Sequence, residues 1–570
     1  MPGFSRRYLG ATAVAVALCS AALFAPPAGA VTGDATTSGP GAVVKLSNTH
    51  GACSGVLVAT QWVLTSSTCF PNATPYAAPT EATTATLGRS NLTTGTDGHV
   101  VAVTALVPQP NRAIVLARLA TPVTDVTIAP LATTPPQAGD GIFIAGYGRT
   151  ATEWVPDQPH FATVTVDTLD TTTLTISSTT RPTTCKGDAG GPAWRTTNGQ
   201  TELLALNHSS WQGGCLGETE TRTGATETRI DDLHDVLTQQ VNDPIVAHYL
   251  DLGGTASVLG APVGGEYAVT GGTAQNYEHG AIYYSAATGA RYMQGPILDR
   301  YLQLGGPTAL GLPITDESAT PDGIGRYNHL SRSGGASIYW SPTTGAHEIQ
   351  GAIRDKWAAL GWETRIGYPT TDETGASDGI GRYNDFSLPD GASIYWSPSS
   401  GAHEIQGLIR DKWTALGRQQ AIGYPTTDES VTPDGIGRYN HFSLPAGASI
   451  YWSPGSGAHE IQGAIRDKWA ALGWETGPGY PTTDESTTPD GIGRYNHFTN
   501  HTSIYWTPQT GVHAVVGTIR DTWASLGWEA GRLGYPTSDE YSIPGGRRSD
   551  FQHGFITWNA ATNTTQVTFT

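Results

Sequence analysis

The chain has 570 residues, of which 14% are charged, and its formal net charge is −18. That acidic balance, with no run of Lys or Arg, excludes a nucleic-acid binder, which needs a basic face. The 16 Trp and 23 Tyr exclude wholesale disorder, and 71 Gly with 37 Pro point to short strands between many turns, hence a mostly β protein.

Residues 1–30 read as a secretory signal peptide: Arg6 and Arg7 supply the positive start, 9–25 is largely apolar, and Ala28-Gly29-Ala30 offers a small-residue cleavage site. Ser5-Arg6-Arg7 leaves both the general and the twin-arginine export routes open. Leu18 before Cys19 makes a poor lipidation site, so no lipid anchor is expected. No other stretch is apolar enough to span a membrane, and a secreted product is expected. Four cysteines remain beyond the signal: Cys53, Cys69, Cys185 and Cys215. An even number in an exported chain implies disulfides, and three pairings are possible.

From residue 31 to 240 the pattern is one of β-rich segments punctuated by Gly. Residues 52–58 and 61–69 read as two paired strands, 113–119 as another, and Ala145-Gly146-Tyr147-Gly148 as a turn. Cys185-Lys186-Gly187-Asp188-Ala189-Gly190-Gly191-Pro192 follows, then Ser210-Trp211-Gln212, a strand at 224–230 and a closing helix at 231–240. These motifs together resemble the trypsin-like serine protease family over the whole of 31–240, which implies a double barrel of antiparallel strands. The resemblance also implies the pairings Cys53–Cys69 and Cys185–Cys215, each contributing about 3 kcal/mol by restricting the unfolded chain.

The same resemblance locates the catalytic positions. Thr68 stands where the family has its general-base histidine, Ala113 where it has the orienting aspartate, and Ala189 where it has the serine nucleophile. A methyl group cannot attack a carbonyl, and a threonine hydroxyl does not accept a proton near neutral pH. The expectation is therefore a pseudo-protease and not an enzyme. Gly187 and Ala189 retain the backbone amides of an oxyanion hole. Cleavage after Ala30 would free the Val31 ammonium to pair with Asp188. Thr183 falls at the specificity pocket, and Ser210, Trp211 and Gln212 at the groove edge that would meet a peptide or protein. His50, His99, His160 and His208 lie outside the motifs and read as surface residues.

Residues 244–570 repeat. Trp357, Trp413, Trp469 and Trp523 each follow Arg-Asp-x, at steps of 56, 56 and 54 residues, and six copies can be counted. In one copy Ile409, Trp413 and Leu416 have helical spacing and Gly417 ends the helix. Gly423-Tyr424-Pro425 begins an extended segment, and strands are expected at 437–442, 448–452 and 458–461. Leu416-Gly417 with Gly423-Tyr424-Pro425, recurring in register, resembles the LGFP repeat of exported actinobacterial proteins, which implies attachment to a cell-envelope polysaccharide. Units of one short helix plus strands predict a repeat domain, with a propeller-like ring preferred to an open solenoid because neither end reads as a polar cap.

Alternation along Ser449-Ile450-Tyr451-Trp452 sets Ile450 and Trp452 on one face and Tyr451 on the other. Trp413 and Trp452 read as core; Arg382, Tyr395, Arg438, Asn440 and Tyr451 are the glycan candidates. The Asp-Glu pairs (Asp316/Glu317, Asp372/Glu373, Asp428/Glu429, Asp484/Glu485, Asp539/Glu540) read as turns and caps, and neither metal nor cofactor is expected. The leading expectation is a secreted, non-catalytic trypsin-shaped domain held on the cell wall by its repeats. Two readings compete with it: a serine endopeptidase or esterase with a non-standard nucleophile, and a protein-binding scaffold.

Overall fold

Two-residue turns shape the start of the first half: Val43–Asn48 pairs with Gly51–Ala59, and Ala59 in turn sits opposite Trp62 of Trp62–Ser66. A computed structural model describes residues 41–178 and 184–570. The signal segment, Val31 and Thr183 lie outside the described residues. Contacts divide the chain into two units, the first running to Asp243 with Gly253–Thr255, the second comprising Pro244–Leu252 and Ala256–Thr570.

The first unit holds two closed six-stranded antiparallel barrels. One runs, in spatial order, through Val43–Asn48, Gly51–Ala59, Trp62–Ser66, Ile114–Leu119, His99–Pro108 and Thr84–Leu87. The other runs through Pro192–Thr197, Gln200–Ser210, Ala225–Arg229, Thr173–Ser177, His160–Leu169 and Gly141–Gly146. Inward-facing aliphatics fill each: Val44, Leu46, Leu87 and Val101 in the first, Ile142, Val164, Ile176 and Leu204 in the second. Closure leaves no sheet edge unpaired, which suits short strands with little else to protect them. The expected closing helix is present at His234–Asn242, preceded by a 3₁₀ turn at Asp231–Leu233.

The second unit holds six four-stranded antiparallel sheets in sequence. The fourth sheet, for example, comprises Ser430–Val431, Arg438–Phe442, Ala448–Ser453 and Gly457–Gln462. Three of its strands lie where expected; the two-residue first strand is too short to leave a periodic signal. The helix Gly407–Leu416 ends on Gly417, which adopts φ 106°, a left-handed conformation that favours glycine. It packs between the third and fourth sheets.

Each of the first five sheets is buried on both sides. Along Ala448–Ser453 only Trp452 is half-exposed. Ile450 joins the core that contains Tyr395, Trp413 and Phe442, while Tyr451 joins the next core, with Trp469 and Phe498. The alternation is as expected, but both faces are covered, so a run of buried residues replaces the in-and-out pattern of a half-solvated sheet.

Polar side chains lock each unit to the next. The aspartate of each Asp-Glu pair accepts the backbone N–H of an edge-strand residue: Asp316 from Tyr292, Asp372 from Glu348, Asp428 from Glu404, Asp484 from Glu460 and Asp539 from Ala514. Lys356, Lys412 and Lys468 reach Asp428, Asp484 and Asp539 from helices farther back in the stack. The pairs thus occupy sheet edges that would otherwise present unpaired amides. No cluster able to hold a metal ion occurs among the described residues.

The sixth sheet differs. In Gly554–Asn559, Ile556 faces the preceding core, but Phe555 and Thr557 on the opposite face remain half-exposed. Thr557 stands where the fourth sheet has Tyr451. A closed ring would bury that face, so the expected ring gives way to a serial stack with a partly polar outer face.

Candidate functional site

Main-chain contacts between the two barrels assemble the site that the protease resemblance points to. The 3₁₀ turn Ser67–Cys69 follows Trp62–Ser66, and Ser67 N–H donates to Ala113 O at 3.0 Å, bringing Thr68 beside Ala113. Ser54 N–H donates to Ala189 O, also at 3.0 Å, and Cys69 Sγ lies 3.5 Å from the same oxygen. The disulfides Cys53–Cys69 and Cys185–Cys215 are both formed, as the family resemblance implies. Positions 68, 113 and 189 therefore converge, carrying an exposed hydroxyl and two methyl groups.

The turn holding Ala189 is rigid. Asp188 is buried, accepting hydrogen bonds from Gly148 N and Cys185 N at 2.8 Å each. Its carboxyl lies so close to Gly148 that any β-carbon there would sit 2.5 Å from it. Burial pushes the Asp188 carboxyl up to about 6, against the pull of those two amides. Glu227 on Ala225–Arg229 is also fully buried; burial, followed by the Asp188 charge, pushes it up to about 8. Neither Glu227 oxygen has a partner among the described residues. No sequence pattern singled out Glu227, because a lone glutamate in a Thr-rich strand carries no signal of burial.

Among the described residues the Gly187 and Ala189 amides have no acceptor. Gln212, expected at a groove edge, is engaged within the protein. Its Oε1 accepts Lys186 N–H at 2.9 Å, and its Nε2 donates to Ser210 Oγ at 2.5 Å, tying the Cys185–Ala189 turn to the end of Gln200–Ser210. Ser210 Oγ donates to Thr184 O across the same gap. A cavity of about 360 Å³ adjoins this tie, walled by Trp211, Ser210 and Ile176. One of about 420 Å³ opens beside Thr68, walled by His50, Phe70 and the Cys53–Cys69 bridge. Arg222 covers the Trp211 ring at 3.8 Å. His50, His99 and His160 each pair with a carboxylate of their own, Glu81, Asp125 and Glu153.

In the repeats the expected glycan residues separate into two groups. Tyr395 and Tyr451 are only 3% exposed and pack edge-on against Trp413 and Trp469, at 4.7 and 4.6 Å between ring centres. Asn440 is wholly buried, its Nδ2 donating to Glu404 O and Thr427 O. These three are core residues, correcting the expectation that they face a ligand; the second buried face of each sheet is the reason. Arg382 and Arg438 do reach solvent, each beside a buried glutamate, Glu373 or Glu429. Trp452, expected in the core, packs against it but lies half-exposed near a strand end and lines a cavity of about 700 Å³ with Arg438.

The comparisons agree with this division. The Trypsin family matches residues 30–236, the span of both barrels and their signature turns. The LGFP repeat matches six segments, 259–308, 310–364, 366–420, 422–477, 479–531 and 533–569, one for each sheet. No helix among the described residues is long and apolar enough to cross a membrane. With more than half of its length in those six segments, the chain belongs to the LGFP-repeat family, carrying a Trypsin-family domain ahead of the repeats.

Proposed function

We propose that this is a secreted, non-catalytic member of the trypsin fold, held on a cell-envelope polysaccharide by its LGFP repeats, with the protease groove used at most to bind a peptide or protein. The observation that carries the reading is the convergence of Thr68, Ala113 and Ala189 in one site that offers neither nucleophile nor proton acceptor. A protease stripped of its triad keeps roughly 10³–10⁴-fold acceleration over water, some six orders of magnitude below an intact enzyme. The tie made by Gln212 supports the same reading, since it bridges the groove next to residue 189. Two disulfides and a reading of 1–30 as a signal peptide fit export.

Incubating the full chain with purified cell wall tests the attachment. Retention that resists washing and is competed by soluble wall polysaccharide is expected; a chain left entirely in the supernatant refutes it.

A further inference from the structure

We infer that the seam between consecutive repeat units is a subsite for a neutral polysaccharide, with a tryptophan as its stacking surface and an arginine and carboxylates as its polar rim. This deepens the attachment reading above and rests on it. One seam, between the third and fourth sheets, holds a cavity of about 700 Å³ walled by Leu388, Leu408, Asp411, Glu429, Arg438 and Trp452. That size falls within the roughly 300–1,000 Å³ typical of ligand sites.

The arrangement follows from strand register. Arg438 and Trp452 are direct cross-strand partners, so guanidinium and indole project side by side from one face. Trp452 rests against the core below and leaves part of its surface to solvent. Arg438 Nε lies 3.6 Å from buried Glu429, and with its side chain 45% exposed it keeps N–H groups for a ligand. Asp411, on the first turns of Gly407–Leu416, is exposed beside it.

Such a site asks for a ligand with a flat C–H face and with hydroxyls that both donate to carboxylates and accept from a guanidinium. A pyranose ring meets all three demands. A polyanion meets them poorly, because Asp390, Asp411 and Glu429 outnumber the single arginine and the whole chain carries −18.

The same pair recurs as Arg326/Trp340, Arg382/Trp396, Arg494/Trp506 and Arg547/Trp558, each in cross-strand register. Beside four of these pairs a hairpin tip exposes an isoleucine, Ile324, Ile380, Ile436 and Ile492, by 55–62%. The tips are pinned: the Tyr480 hydroxyl donates to both oxygens of Asp434, Ile436 N–H to one of them, and Gly437 has no room for a β-carbon under Tyr480. A row of rigidly held, repeated contacts suits a polymer, whose successive residues engage successive seams and multiply weak affinities.

The test is affinity electrophoresis of the full chain in gels containing dextran, galactomannan or polygalacturonate, alongside the wall incubation. Retardation by a neutral polymer and not by polygalacturonate is expected. The variant W396L/W452L/W506L, which keeps apolar packing, and the variant D355N/D411N/D467N, confined to exposed carboxylates, should each weaken it about tenfold. A thermal melt accompanies each variant; should the tryptophan variant melt early, the aspartate variant decides. Binding to wall without retardation by either neutral polymer, stronger retardation by polygalacturonate, or retardation unchanged in the folded variants overturns the seam while leaving attachment standing. No binding to wall by the unaltered chain overturns attachment itself.

Discussion

The two units treat their functional positions in opposite ways. In the barrels, the contacts that bring residues 68, 113 and 189 together are made by main chain: Ser67 N to Ala113 O, Ser54 N to Ala189 O. Side chains at those positions can change without loosening the fold, so a site can lose its chemistry and keep its shape. In the repeats the side chains are themselves the fastenings. Tyr480 locks Asp434, Lys356 locks Asp428, and Trp413 fills the space between two sheets. There a substitution at nearly any repeated position is felt by two neighbours.

The largest way to break that contrast is Trp413→Ala. Trp413 is completely buried, touching Tyr395 of the third sheet edge-on at 4.7 Å and Phe442 of the fourth at 6.1 Å, and its Nε1–H donates to Gly423 O. Truncation should cost about 3–5 kcal/mol, the range for aromatic-to-alanine changes in a core. Scanning calorimetry of the full chain should show the repeat transition falling by several degrees with the barrel transition unmoved. A common shift of both would mean that the two units do not unfold separately.

How much of this was legible in the sequence follows the same contrast. The barrels were readable because their turns demand particular residues: Gly148 beneath Asp188, and cysteines at bridging positions. Helices of the repeats were readable from the spacing of Ile409, Trp413 and Leu416 and the stop at Gly417. What escaped was burial on both faces. A strand reading Ser449-Ile450-Tyr451-Trp452 fits a half-solvated sheet as well as a sandwiched one, and only the packing of the next unit puts Tyr451 inside and leaves Trp452 at the rim. A ring follows from two ends that do not read as polar caps, and a single threonine, Thr557 in place of tyrosine, is too small a signal to mark the last sheet as an outer face. Glu227 was invisible for the complementary reason: nothing local distinguishes a buried carboxylate from a solvated one.

A smaller effect sharpens the comparison through pH. Burial, and after it Glu373, Glu429 or Glu485 nearby, pushes Glu348 and Glu404 up to about 7 and Glu460 up to about 8, from an ordinary value of 4.5. Groups raised in the folded state bind more protons there than in the unfolded chain, so stability is greatest when they are protonated and declines as pH rises through 5 to 8. The aspartates oppose this only in acid: despite burial, His403, the Glu404 amide and Lys356 hold Asp428 well below the usual carboxylate range, and its contribution is lost only below about pH 4. The repeats should therefore be most stable near pH 5. E404Q should flatten the decline between pH 5 and 8 by roughly 2–3 kcal/mol in urea titrations. A slope identical to that of the unaltered chain would show that Glu404 titrates normally.

The smallest expected effect is none at all. Ala189→Ser restores a hydroxyl to the converged site without touching the main-chain contacts at 189, which involve its carbonyl. A serine hydroxyl becomes nucleophilic only when a base takes its proton, and neither the hydroxyl of Thr68 nor the methyl of Ala113 serves. Intact-mass measurement after incubation with a fluorophosphonate should find the variant unmodified, like the parent. Stoichiometric labelling of the variant would mean that another base reaches position 189. His50 would then be the first to examine, since it lines the cavity beside Thr68 with Glu81 2.5 Å from its Nδ1. The barrel would in that case be one substitution from activity, and the freedom of its site positions would no longer set it apart from the repeats.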